Sequence, residues 1–142
     1  MRTAYKIIAH LISLAVVVQA AVVAWSMFEA ISLLSRGIML DGPPFAAMLH
    51  GNIGMYVVPV LAIALVVIAL FAHAGLKWAL LTLLAVVVQI GLAFAAFGAP
   101  WVGMLHGINA FAILALAEVA AYSVAHAPVR VPARRNVARP AM

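Results

Sequence analysis

The chain is expected to fold as an all-α, four-helix transmembrane bundle with up-down-up-down topology, and three observations point there. Of its 142 residues 69% are hydrophobic and 8% are charged, whereas soluble domains carry about 25% charged and about 45–50% apolar residues. A chain this apolar cannot cover itself with a polar surface. The apolar residues gather in four runs, 7–28, 45–71, 76–97 and 101–122, each at or above the ~20 residues a helix needs to cross a bilayer core. These runs are continuous, without the alternation of a barrel strand, so their backbone groups are satisfied only as helices.

The first run follows Arg2 and Lys6 and superficially looks like a secretory leader. It is longer than the ~7–15 residues of a leader's apolar region, and Val18-Gln19-Ala20 is a poor cleavage site. It therefore reads as a retained helix. Ser35-Arg36-Gly37 through Asp41-Gly42-Pro43-Pro44 separates it from the second run, His73-Ala74-Gly75 separates the second from the third, and Gly98-Ala99-Pro100 precedes the fourth. Residues 1–126 form the expected transmembrane domain, and 127–142 a basic, proline-containing tail.

With alternating helices, Arg2, Lys6, Lys77 and the tail arginines fall on one side and only Arg36 on the other. Lys and Arg accumulate on the cytoplasmic side, so both termini are expected in the cytoplasm, with the bundle surrounded by lipid. The net charge of +5 does not form a nucleic-acid-binding face, because Arg130, Arg134, Arg135 and Arg139 all lie in the tail. With no cysteine, disulfides, thiolate metal sites and cysteine nucleophiles are excluded.

Two segments recur. Leu14-Ala15-Val16-Val17-Val18-Gln19 returns as Leu84-Ala85-Val86-Val87-Val88-Gln89, and Pro44-Phe45-Ala46-Ala47-Met48-Leu49-His50-Gly51 returns as Pro100-Trp101-Val102-Gly103-Met104-Leu105-His106-Gly107. Short Val/Leu runs recur by chance in membrane helices, but Pro-aromatic-x-x-Met-Leu-His-Gly repeats fixed identities at fixed spacing. The halves read as two copies of one helical hairpin, related by an axis along the membrane normal. Each histidine sits six residues past its proline, about 9 Å along the helix. In a four-helix bundle the second and fourth helices are diagonal neighbours, so His50 and His106 are expected to face each other at equal depth.

Two opposed neutral imidazoles are what the iron of a b-type haem takes as axial ligands. His50 and His106 are the expected metal ligands, with Gly51, Gly54, Gly91 and Gly107 leaving room for the macrocycle. Asn109 or Asn52 is the expected partner of the second ring nitrogens, and Arg36 the expected partner of outward-pointing propionates. The bland alternative for a single such histidine is a hydrogen bond to a backbone carbonyl. Tetrahedral zinc lacks third and fourth ligands at this depth, and Met48 and Met104 point to another face and read as packing residues.

Glu118, deep in the fourth run, is unpaired in the repeat, since Ala62 holds the matching position. It reads either as an acid bonded to Gln19 or His10 or as a proton or quinol contact. Gln19 and Gln89 read as interhelical hydrogen-bonding groups. His10, His73 and His126 lie towards the other membrane face at positions the repeat does not pair.

His50-Gly51-x-x-Gly54-Met55, the later apolar run and Leu105-His106-Gly107-x-Asn109-Ala110 resemble an uncharacterised family of small four-span bacterial membrane proteins. One histidine opening the second span and one opening the fourth is also similar to one half of haem A synthase and to the b-type cytochrome bundles. That resemblance implies axial ligation by His50 and His106. This chain has one such half, and it has neither the acidic residue a catalytic half uses nor the paired histidines of a two-haem cytochrome b.

The expected function is single-electron transfer through one haem, in contact with a quinol or another membrane redox protein. The alternative is a cofactor-free structural or accessory subunit of a larger membrane complex. A third reading, a solute or proton carrier using Glu118, is weakened because Pro59 alone interrupts a span.

Overall fold

A computed structural model describes residues 1–126, and the expected basic tail lies outside the described residues. The described chain is all-helical: α1 (Arg2–Ser35), α2 (Phe45–Asn52), a π-helical turn (Ile53–Val57), α3 (Val58–Ala72), α4 (Leu76–Gly98) and α5 (Val102–Ala125). α2, the π turn and α3 form one continuous helix, Phe45–Ala72, and this helix, α1, α4 and α5 are all long and apolar enough to cross a membrane. The protein thus has the make-up of a multi-pass membrane protein. α1 is longer than the expected 7–28. At 34 residues it spans about 51 Å, because no Gly or Pro interrupts it before Gly37. Its C-terminal stretch includes Glu29.

α1 packs along α5 and along the Phe45–Ala72 helix, while α4 packs along α3 and α5. This leaves the Phe45–Ala72 helix diagonal to α5, and α1 diagonal to α4. One end of the bundle carries Met1, the turn at 73–75 and His126; the other carries the connections at 36–44 and 99–101. We call these the terminal end and the loop end.

The buried core lies almost wholly in the terminal half. It is made of Tyr5, Ala9, Ile12 and Val16 on α1; Val58, Ala62, Leu65 and Ala69 on α3; Ala79, Ala85 and Val86 on α4; and Ile113, Ala117, Ala120, Ala121 and Val124 on α5. Spacings of three and four place the α1 and α3 sets each on one helical face, and buried Thr82 completes the same pattern between Ala79 and Ala85 on α4. The prevalence of alanine lets the backbones approach closely, as small residues do wherever lipid removes the hydrophobic drive between helices.

The terminal end is closed by a single contact set. Tyr5, fully buried, donates its hydroxyl to the Gly75 carbonyl at 2.9 Å, tying the start of α1 to the α3–α4 turn. That turn is left-handed at two positions, His73 (φ 48) and Gly75 (φ 76). A Cβ at Gly75 would stand 2.7 Å from both the Tyr5 hydroxyl and a Val124 methyl. Gly75→Ala therefore meets an unfavourable φ and a steric conflict together. It should destabilise the bundle by about 2 kcal/mol or more, read as a lowered unfolding midpoint in detergent, whereas His73→Gly should be neutral or stabilising.

The π turn was not anticipated from sequence. Val58 donates to the Ile53 carbonyl, five residues back. Pro59 cannot donate, and its ring would press on the carbonyl four residues before it. One widened turn accommodates it without breaking the helix.

Candidate functional site: a histidine pair on the bundle diagonal

The helices separate just above the alanine-rich core, towards the loop end. There His50, on α2, and His106, on α5, face each other with ring centroids 6.2 Å apart and planes inclined at 63°. Each sits one turn or slightly more inside its helix start, set by Pro44 and Pro100–Trp101.

Neither ring is held by an asparagine, as the sequence had suggested. His50 Nδ1 lies 3.2 Å from the Gln19 backbone carbonyl on α1, and His106 Nδ1 lies 3.1 Å from the Gln89 backbone carbonyl on α4. A carbonyl oxygen only accepts, so Nδ1 carries the proton in both rings and Nε2 is the acceptor nitrogen. The same glutamines contribute their side chains. Gln19 Nε2 donates to the His50 carbonyl at 2.9 Å, and Gln89 Nε2 stands 3.2 Å from His106 Nε2, where it can donate to the ring. Each glutamine thus bridges neighbouring helices, as expected, but through its backbone as well as its amide.

The two halves differ in detail. Asn109 Nδ2 donates to Gln89 Oε1 at 2.7 Å and to the Ala85 carbonyl at 2.9 Å, which fixes the Gln89 amide in one orientation. Gln19 Oε1 is buried without a hydrogen-bond partner among the described residues. Fifty-six residues before Asn109, the spacing of the recurring histidine motif, the chain has Ile53, which has no donor, and Asn52 beside it is exposed.

A cavity of about 390 Å³ surrounds the pair, lined by all four membrane-length helices. On α1 it extends from Val16 to Val23 and on α4 from Val86 to Ala93, about 10 Å along the bundle axis. Gly51, Gly54 and Gly107 border it. A Cβ at Gly51 or Gly107 would meet nothing within 4 Å, while one at Gly54 would stand 2.7 Å from Gln19 Nε2. Gly54 therefore makes room for glutamine rather than for a ligand.

Two residues named from sequence are not brought to the site. Gly91 is exposed and does not border the cavity. Arg36 lies seventeen residues beyond Gln19 on the same helix line, about 25 Å away along the axis, with its Nε on the Ser32 carbonyl. Met48 and Met104 point outward and are exposed. Of the remaining histidines, His73 lies in the α3–α4 turn, His126 stacks on Tyr122 at 4.0 Å, and His10 contacts Glu118 at 3.2 Å. The role of Gln19 and Gln89 as histidine partners was missed. The signal was present, since each glutamine ends the recurring apolar hexamer of one half.

Among the described residues no group of three or more His, Cys, Asp or Glu is placed to hold a metal ion. Fold and site define a class: an all-helical, membrane-type bundle with two neutral imidazoles opposed in an apolar cavity. Comparison with family models, curated proteins and solved structures finds no match to the chain.

The glycines yield a test of the site's packing. Gly54→Ala should displace the Gln19 amide from the His50 carbonyl, costing about 0.5–1.5 kcal/mol. Gly51→Ala and Gly107→Ala should be neutral or stabilising by up to about 1 kcal/mol, because alanine is the better helix former. Thermal unfolding of the three variants in one detergent separates these outcomes.

Proposed function

We propose that this protein is a b-type haem-binding membrane protein that passes single electrons through one haem held between His50 and His106. The observation that carries the reading is the opposed ring pair with both Nδ1 protons spent on backbone carbonyls. Metal-bound histidines usually donate their other ring nitrogen to such a carbonyl, which fixes the tautomer and orients the ring. The ring centres stand 6.2 Å apart, close enough for one bound group to be held by both imidazoles.

The donor set also favours haem over a bare ion. Two imidazoles alone do not complete the coordination of zinc or another divalent metal, whereas haem iron, already bound by its macrocycle, would need only two side-chain ligands, which His50 and His106 would supply. The apolar cavity, with open space beside Gly51 and Gly107, suits a flat macrocycle. When bound, haem would supply a reversible one-electron couple. His50 and His106 would hold it, and Gln19, Gln89 and Asn109 would keep the two rings in register. The bundle itself would exclude water. With Arg36 remote, any propionate charge would be met by solvent or headgroups at the loop end.

In this reading the chain is a duplicated hairpin with a pseudo-twofold axis along the membrane normal. It sits in a bacterial inner membrane with the terminal end, and with it Arg2, Lys6 and Lys77, in the cytoplasm. A second reading is a cofactor-free accessory subunit. It is favoured by the Gln89 amide, which already satisfies His106 Nε2 without a metal.

Optical spectra of purified protein, oxidised and dithionite-reduced, separate the two. The haem reading expects a sharp Soret band with resolved α and β bands on reduction. His50→Ala and His106→Ala should each lose it, and His73→Ala should keep it. Asn109→Ala, which frees the Gln89 amide, should retain haem but shift the reduction potential or spin state. A colourless protein that stays so after haem is added back overturns the assignment and leaves the accessory-subunit reading.

A further inference from the structure

A second cluster of titratable groups lies on the seam between α1 and α5. His10 Nδ1 is 3.2 Å from Glu118 Oε1, and Ser13, one turn along α1 from His10, donates its hydroxyl to the Ala9 carbonyl at 3.4 Å. The pair faces out of the bundle, with side chains 59% and 46% accessible. Its neighbours on the same two helices, Ile7, Leu14, Val17 and Val119, are exposed and apolar. Ionisable side chains in such surroundings are costly and mark functional sites. Glu118 lies seven residues before the end of α5 and His10 eight residues after the start of α1, about 10–12 Å along the helices from the terminal end. A molecule dissolved in the bilayer reaches that depth from the side, whereas a water-soluble one does not.

The seam also leads to the cavity. Seven residues are close to two helical turns, so His10 and Val17 share one face of α1, and Glu118 and Phe111 share one face of α5. Val17 and Phe111 both border the cavity and are both exposed. The polar pair therefore sits about 10 Å below the open side of the cavity. One turn beyond Glu118 on α5, Tyr122 is exposed and its ring stacks on His126.

We propose that the His10–Glu118 pair is a binding site for the head group of a membrane-dissolved quinol. The Glu118 carboxylate and the His10 imidazole accept the ring hydroxyls, Tyr122 offers an aromatic edge, and the apolar seam takes the chain that carries the ring. A divalent cation would find only two ligands, for no third His, Cys, Asp or Glu joins them among the described residues. An anionic headgroup would meet the carboxylate. None of these residues touches the histidine pair, so binding stands apart from the haem reading. Only the quinol's role as electron donor rests on it.

The test is a fluorescence-quench titration of the full chain in detergent with 2-heptyl-4-hydroxyquinoline N-oxide, a quinol analogue whose emission falls on binding. The expected result is saturable binding of one analogue per chain, weakened at least tenfold by Glu118→Gln and by His10→Ala. The double variant His50→Ala/His106→Ala should bind the analogue as well as the parent does. If the parent shows no saturable quench, or if Glu118→Gln and His10→Ala leave the dissociation constant unchanged, the site does not exist. Colourless protein that still binds the analogue through Glu118 supports this site while removing the haem reading.

Discussion

The geometry of this bundle depends on how a few polar side chains are satisfied in an apolar setting. Lipid offers no hydrogen bonds, so each such group finds a partner within the protein or pays several kcal/mol. Gln19 and Gln89 solve this for the two central histidines by lending both backbone and side chain. The contact joins α1 to α2 in one half and α4 to α5 in the other. Because a helical carbonyl is already the acceptor of a backbone N–H, the ring takes its second lone pair, and no helix has to open. The histidines are thereby held in one tautomer before any ligand arrives.

Packing divides the molecule into two zones with different tasks. In the terminal half, alanines at core positions bring the helices together, and Tyr5 and Gly75 fasten the end. In the loop half the helices part around a cavity, and the π turn ahead of Pro59 widens the Phe45–Ala72 helix beside it.

The two halves are alike in plan and unlike in detail. Asn109 completes a chain of hydrogen bonds, from the Ala85 carbonyl through the Gln89 amide to His106. The corresponding chain on the other side stops at the unpartnered Gln19 oxygen. The two rings are thereby chemically unequal: His50 Nε2 has no hydrogen-bond partner among the described residues, while His106 Nε2 already lies against the Gln89 amide.

The helical class, the positions of the breaks and the recurrence of Met-Leu-His-Gly were legible in the sequence, since hydropathy and Gly/Pro punctuation are local properties. So was the opposition of His50 and His106, because equal offsets from two helix starts on a bundle diagonal leave few other arrangements. The length of α1 was not, for nothing local ends a helix that exposed apolar residues simply continue. Nor were the partners of the rings: which carbonyl, on which neighbouring helix, comes within 3.2 Å depends on the azimuth and separation of packed helices. The same reason removed Gly91 from the site and turned Gly54 from a space for ligand into a space for Gln19, while the unbroken length of α1 carried Arg36 away along the axis. Sequence determined which polar groups the bilayer would force together; tertiary packing decided which of them meet.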